Sequence, residues 1–90
     1  MLDEYNYRYI NHFKTISLTP LETYILSMLI QNKDKITKTK DLLKLFDEQE
    51  GIDIGNSLRV HIWYLRKKLK GEIMIIAVYG QGYKIAYLGG

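Results

Sequence analysis

Apolar residues recur at three- and four-residue spacing in three stretches of the chain, which predicts three amphipathic helices. The first stretch follows Thr19-Pro20-Leu21-Glu22, where threonine can cap the helix, proline suits its first turn and glutamate can reach back to the cap. The prediction is a helix over residues 19–32. Its expected buried stripe consists of Leu21, Tyr24, Ile25, Met28 and Leu29.

Two further helices follow along the chain. Helix 2 is predicted over residues 37–47, with Thr37 as its cap, Ile36 as a hydrophobic staple, and a short apolar stripe. That stripe contains Leu42, Leu43 and Phe46. Helix 3 is predicted over residues 56–70, with Asn56 or Ser57 as its cap and Gly71 as the residue that ends it.

The remaining segments favour strands and one loop. Residues 1–17 contain a stretch rich in Tyr, Ile, Phe and Thr, which predicts one or two short strands with a turn at Asn11. Residues 73–88 read as a β-hairpin, because two β-prone runs flank Tyr79-Gly80-Gln81-Gly82. Residues 48–55 are acidic, contain two glycines and predict a loop. The element order predicts one α+β domain over residues 1–90.

The third helix has two chemically different faces. At about 100° per residue, Ile62, Leu65 and Leu69 fall within about 40° of Leu58 and predict the buried side. The opposite side carries Val60, Trp63, Tyr64 and Lys67, with Arg66 and Lys68 flanking it. Exposed aromatic rings on one face are typical of a binding surface. The alternative is that the N-terminal strands, the hairpin or a second protomer bury the two rings.

Charge is unevenly distributed along the chain, although the net charge is only +3. Residues 1–54 hold 7 Lys/Arg against 9 Asp/Glu, whereas residues 55–90 hold 6 against 1. The C-terminal part therefore favours an anionic partner. The alternative is a solvated basic helix end that offsets the helix dipole.

Composition excludes several classes of chemistry. The chain has no cysteine and only two histidines, so thiolate and all-histidine metal sites are excluded and neither metal nor cofactor is expected. No Ser, Cys or paired carboxylate nominates a partner for His61, so we expect no enzyme. With no apolar run long enough for a membrane span, the chain is predicted to be soluble and cytoplasmic.

Three motifs give the chain a family resemblance. LTPLE (18–22), VHIWYLRKKL (60–69) and VYGQGYKI (78–85) occur in order, and the last two are similar to the patterns VHIxxLRxKL and VRGxGYRx. The chain thus resembles the C-terminal effector domain of OmpR/PhoB-type response regulators, without a receiver domain. The resemblance implies a winged helix-turn-helix that binds double-stranded DNA. Residues 56–69 would enter the major groove, and a wing at 78–83 would lie at the adjacent minor groove.

The resemblance also implies roles for individual residues. Val60 would meet thymine methyl groups, His61, Arg66 and Lys67 would hold phosphates, and Asn56 and Ser57 would approach the DNA backbone. The candidate nucleic-acid-binding residues are Asn56, Ser57, Val60, His61, Trp63, Tyr64, Arg66, Lys67, Lys68, Tyr79 and Gln81. The loop after helix 2 would face RNA polymerase through Asp47, Glu48, Glu50 and Asp53. Homodimers on tandem half-sites are a further expectation.

The chain also departs from the family pattern. Trp63 and Tyr64 stand where arginine or another polar residue is common, and Tyr79 stands where the wing usually carries arginine. The alternative function is therefore a winged-helix protein-interaction module that binds RNA polymerase or another regulator through Trp63 and Tyr64. The start at Met1 favours a stand-alone protein over an excised effector domain, and both readings stay open.

Overall fold

The computed structural model describes residues 1–11, 13–46 and 54–88, with only the backbone of Ile54. The candidate polymerase-facing residues Asp47, Glu48, Glu50 and Asp53 lie outside the described residues. The helices are α1 (Pro20–Gln31), α2 (Thr39–Leu43) and α3 (Ile54–Lys68). The strands are β1 (Leu2–Asp3), β2 (Arg8–Ile10), β3 (Thr15–Ser17), β4 (Thr37–Lys38), β5 (Ile73–Val78) and β6 (Gly82–Tyr87).

An antiparallel sheet in the order β1-β2-β3 opens the chain. The Met1 ammonium donates to the Ile10 carbonyl at 2.6 Å and helps to hold β1, which the sequence pattern did not predict. The turn predicted at Asn11 is confirmed, because its side-chain oxygen accepts from the amides of Phe13 and Lys14 at 2.8 and 2.7 Å. Strand β2 places Tyr9 in the core, where burial raises the pKa of its phenol.

The predicted start of α1 is confirmed in detail. The Thr19 amide donates to Glu22 Oε1 at 2.8 Å, and the Glu22 amide donates to Thr19 Oγ1 at 3.1 Å, which completes a capping box. The predicted stripe is partly wrong, since Leu26 is fully buried and Tyr24 is exposed. Tyr24 instead pairs with Tyr7, and the hydrogen bond between their hydroxyl groups raises the pKa of Tyr24.

Helix α2 is shorter than the predicted 37–47 helix and begins later. Thr37 is not its cap, because its backbone is extended and pairs with Tyr83 of β6. The N-cap is Lys38, which makes no side-chain capping bond. After Leu43 the chain tightens into a turn in which Phe46 donates its amide to the Leu43 carbonyl at 3.1 Å. The local sequence could not show whether Thr37 caps a helix or belongs to a strand, because the strand forms only through pairing with β6, more than 40 residues later.

Helix α3 begins at Ile54, two residues before the predicted start at Asn56. Asn56 and Ser57 are therefore inside the helix and are not its caps. The helix ends at Lys68, and Gly71 follows with a φ of +88°, a conformation that favours glycine. The predicted buried face is confirmed, since Leu58, Ile62, Leu65 and Leu69 are each at most 1% exposed.

The second sheet has the order β4-β6-β5, and β5 and β6 form the predicted hairpin with Ile75 opposite Ile85. Its tip spans residues 79–81, with Gly80 at a φ of +72°. Gly82 permits the approach of β4, because a Cβ atom there would lie 2.0 Å from the Thr37 carbonyl oxygen. The core lies between the helices and the two sheets. In the described ranges, no helix combines the length and apolar character needed to cross a membrane.

Candidate nucleic-acid interface

The face of α3 opposite the core is open to solvent. Val60 is 42% exposed, Trp63 51% and Tyr64 49%, so the orientation predicted from helical periodicity is confirmed. Neither the N-terminal strands nor the hairpin bury the two rings, which overturns that part of the alternative. Because three large apolar side chains of the same helix, Leu58, Ile62 and Leu65, are fully buried, the helix cannot rotate to hide its aromatic face without exposing its leucines.

The aromatic residues on this face form an ordered cluster. The rings of Trp63 and Tyr64 meet edge to face, with centroids 5.0 Å apart and planes at 81°. The Lys67 ammonium lies 4.5 Å from the centroid of the Trp63 ring, one helical turn away. This cation–π contact places a positive charge at the centre of the exposed face, in a position suited to an anion.

His61 lies at the boundary between α3 and the chain that follows α2. Its Nδ1 donates to the Ser57 carbonyl at 2.7 Å, since a carbonyl can only accept. Its ring stands edge-on to Phe46, with centroids 5.5 Å apart. In the neutral ring Nε2 is then an acceptor, so a phosphate contact through Nε2 requires the doubly protonated imidazolium.

Arg66 and Lys68 lie on opposite flanks of α3 and both contact other elements. Arg66 is exposed, and its Nε donates to the Ile75 carbonyl at 3.1 Å, so this flank faces the hairpin. Lys68 Nζ lies 2.6 Å from Glu22 Oε1 and joins the end of α3 to the start of α1. The contact of Lys68 with a polyanion stays a prediction, and the buried Glu22 carboxylate that holds its ammonium favours a structural role instead.

The start of α3 and the hairpin tip carry the remaining candidate residues. Asn56 is exposed and Ser57 is half-buried. Tyr79 is fully exposed at the tip of the hairpin, at 101% of its reference area. Gln81 is exposed, and its carbonyl accepts from the Thr39 amide at 3.1 Å, which joins the tip to the start of α2.

Arg59 is an exposed residue of α3 that the sequence reasoning missed. Helical geometry places it about 100° from Leu58, at the border of the outward face. Its position was therefore available from the same angular count that selected Trp63 and Lys67. Arg66, about 80° from Leu58, was placed on the flank of the outward face, and Arg59 satisfies the same criterion.

Potential metal ligands do not gather at one place in the described part of the chain. No group of three or more His, Cys, Asp or Glu residues is close enough there to hold a metal ion. Within the same residues, no buried side-chain nitrogen or oxygen lacks a hydrogen-bond partner. The described geometry therefore offers an exposed aromatic and basic face of α3, and the hairpin contacts the flank of the same helix through Ile75 and Arg66.

Two helices and a hairpin of this arrangement define the class of winged helix-turn-helix domains. The family described as "Transcriptional regulatory protein, C terminal" matches residues 14–85. The chain therefore belongs to this family, as the three sequence motifs predicted.

Curated relatives agree with this assignment. The regulatory protein VanR of Enterococcus faecium is 35% identical over 82 residues, a match that covers 86% of this chain and 35% of VanR. The sensory transduction protein BceR of Halalkalibacterium halodurans is 39% identical over 59 residues, covering 66% of this chain and 26% of BceR. The chain thus spans about a third or less of the length of these two relatives.

Solved structures support the fold. The C-terminal domain of NsrR, a lantibiotic response regulator for nisin resistance, matches with a TM-score of 0.70 and 30% identity, covering 89% of this chain and 84% of that domain. The DNA-binding domain of Klebsiella pneumoniae RstA, solved in complex with the RstA box, matches with a TM-score of 0.72 and 26% identity. That match covers 94% of this chain and 88% of the RstA domain.

Proposed function

We propose that this chain binds double-stranded DNA and thereby regulates transcription. Helix α3 enters the major groove through its outward face, and the wing at residues 78–83, which contains the hairpin tip, lies at the adjacent minor groove. The observation that carries the proposal is the exposure of Val60, Trp63 and Tyr64 on a helix whose other face is fully buried. Family membership and the likeness to RstA, which was solved with its DNA box, support the same function.

The individual contacts are part of the proposal. Val60 packs against thymine methyl groups, and Lys67 and Arg66 bind phosphates. Asn56 and Ser57 approach the DNA backbone near the start of α3. The remaining contacts of the proposed interface are made by His61, Trp63, Tyr64, Tyr79 and Gln81.

Salt dependence of duplex binding tests the proposal. Each phosphate neutralised by a cation adds about 0.9 to the slope of log affinity against log salt. We expect a steep slope for a duplex selected from a pool with a randomised centre. A flat slope, or no duplex bound at about 50 mM salt, contradicts DNA binding. The same titration with single-stranded DNA of equal sequence separates groove recognition from general attraction to a polyanion.

The proposal also covers the location, the oligomeric state and the protein partner of the chain. We propose that it acts in the cytoplasm, without enzymatic activity, as homodimers on tandem half-sites about one helical turn apart. The acidic segment with Asp47, Glu48, Glu50 and Asp53 is proposed to contact RNA polymerase. Light scattering with and without a two-site duplex tests the dimer. Loss of transcription without loss of DNA binding on removal of the four acidic side chains tests the polymerase contact.

A second candidate function is a protein-interaction module that uses the same face of α3. The specific observation in its favour is the exposed pair Trp63 and Tyr64, since such residues are enriched among binding hot spots. The substitution Trp63→Ala separates the two functions. DNA binding predicts a weaker complex with the selected duplex. The interaction module predicts unchanged duplex affinity together with loss of RNA polymerase or regulator in a pull-down.

A further inference from the structure

The cations of α3 are not equally available for a contact outside the protein. Lys68 is held by Glu22, and Arg66 donates through Nε to the Ile75 carbonyl. The Lys67 ammonium lies over the Trp63 ring. Arg59 is exposed, and among the residues that the structure describes its guanidinium has no hydrogen-bond, ion-pair or ring partner. Within the described part of the chain, the guanidinium donors of Arg59 therefore have no competing partner.

The position of Arg59 along α3 also favours a contact with DNA bases. It is the sixth of the fifteen residues of α3 and precedes Trp63 by about one turn. Helical geometry puts it about 40° from Trp63 and about 20° from Arg66, on the flank that faces the hairpin. In helix-turn-helix proteins, the N-terminal part of the recognition helix is the part that contacts base edges. Arg66 lies about 10 Å further along the axis, towards the end of the helix.

The aromatic residues and Lys67 on the outward face of α3 do not provide a side chain that can recognise guanine through two hydrogen bonds. Guanine presents N7 and O6 as two acceptors in the major groove, and the planar fork of arginine matches both. Trp63 and Tyr64 cannot provide that pair of donors, and Lys67 is a single-point donor. Arg59 is the free arginine on this side of α3 within the described residues.

We propose that Arg59 is a specificity-determining residue that reads a guanine of the target site through N7 and O6 in the major groove. The inference rests on the proposed DNA binding and deepens it by naming a base. It makes the target of this chain a mixed site, with thymine methyl groups against Val60 and a guanine beside them. The competing role for Arg59 is a phosphate contact, which carries no sequence information.

The test uses the full chain and a duplex selected by the wild-type protein from a pool with a randomised centre. Each guanine of that duplex is replaced in turn by 7-deazaguanine, which lacks the N7 acceptor. The variants are Arg59→Ala, Arg59→Lys and the control Lys70→Ala, which removes one exposed charge just beyond the end of α3. Because Arg59 is exposed, all variants are expected to fold, and their melting temperatures verify it.

The expected result is a loss that depends on one guanine. Replacing that guanine should weaken wild-type and Lys70→Ala binding by about 5- to 150-fold. It should leave Arg59→Ala unaffected, and Arg59→Lys should keep the charge but lose most of the discrimination. If Arg59→Ala weakens binding equally on normal and substituted duplexes, Arg59 is a phosphate contact and the inference is wrong. If the wild-type protein selects no duplex, the proposed function fails together with it.

Discussion

Replacing Lys68 with methionine should destabilise the domain without changing its attraction to DNA. The Lys68 ammonium lies 2.6 Å from Glu22 Oε1, and the side chain of Glu22 is only 4% exposed. The same oxygen accepts the Thr19 amide at 2.8 Å. Methionine retains an unbranched apolar side chain of similar length, so Lys68→Met removes the charge while keeping most of the packing. Glu22 then keeps its capping bond but loses its cation.

The magnitude follows from the burial of the two partners. Removing one member of a fully buried ion pair costs about 3–5 kcal/mol, and a hydrogen bond to a charged group contributes about 1.5–3 kcal/mol. The Lys68 side chain is 34% exposed, so water reaches the pair from one side and reduces the cost. We expect a loss of about 2 kcal/mol in the free energy of unfolding, which lowers the melting temperature by about 10 °C in a domain of this size.

The assay combines chemical denaturation with a salt titration of duplex binding. The neighbouring Lys67→Met is the matched control, because its ammonium contacts only the exposed Trp63 ring among the described residues. Lys67→Met should cost no more than about 1 kcal/mol of stability and lower the log–log salt slope by about one. Lys68→Met should show the reverse pattern, with a large loss of stability and an unchanged slope.

Two results refute this reasoning. A stability of Lys68→Met within about 0.5 kcal/mol of the wild type means that the ion pair contributes nothing measurable. A reduced salt slope for Lys68→Met means that its ammonium contacts DNA after all. A double-mutant cycle with Glu22→Gln isolates the pair, and we expect a coupling of at least about 1 kcal/mol.

Four further predictions concern the hairpin, the turn after α3 and the first helix. Gly82→Ala should cost about 2–3 kcal/mol, because its Cβ would lie 2.0 Å from the Thr37 carbonyl oxygen. Gly71→Ala places a Cβ atom that meets nothing within 4 Å, so it should cost only about 1 kcal/mol of stability, through the positive φ of Gly71. Equal losses of stability for Gly82→Ala and Gly71→Ala in chemical denaturation would contradict the packing argument. Thr19→Ala should lower the free energy of unfolding by about 1 kcal/mol, and Thr19→Ser should lower it much less because serine can also cap the helix. Equal stability of Thr19→Ala and the wild type would contradict the capping box. Tyr79→Arg should raise duplex affinity and add about 0.9 to the salt slope, and no change would place the hairpin tip away from DNA.

Local sequence signals predicted the parts of the fold that depend on neighbouring residues. The capping box at Thr19 needs only residues three positions apart, and it was read correctly from the chain. The two faces of α3 follow from a regular spacing over four turns, so the burial of Leu58 and the exposure of Trp63 were both predictable. The class of fold and the family were likewise available from the three motifs.

Features that depend on distant partners were not predictable in this way. The ion pair of Lys68 with Glu22, 46 residues earlier in the chain, was not predicted, and the assignment of Lys68 to the nucleic-acid surface stays a prediction. Thr37 was assigned as a helix cap, but pairing with Tyr83 makes it part of a strand. Strand β1 has only two residues, too few for a periodic signal. In each case the conformation or contact depends on a partner that is distant in the sequence and close in the fold.

The most direct test of the account is to map the residues of the protein whose NMR signals change when the selected duplex is added. If the outward face of α3 binds DNA, the largest changes occur at the Trp63 indole N–H, the Val60 methyl groups and the Tyr79 amide, with a saturable titration. Signals of Tyr5, exposed on the N-terminal turn, should move little. Changes centred on the N-terminal turn, with the Trp63 indole signal unmoved, contradict the claim that the outward face of α3 is the surface that binds DNA.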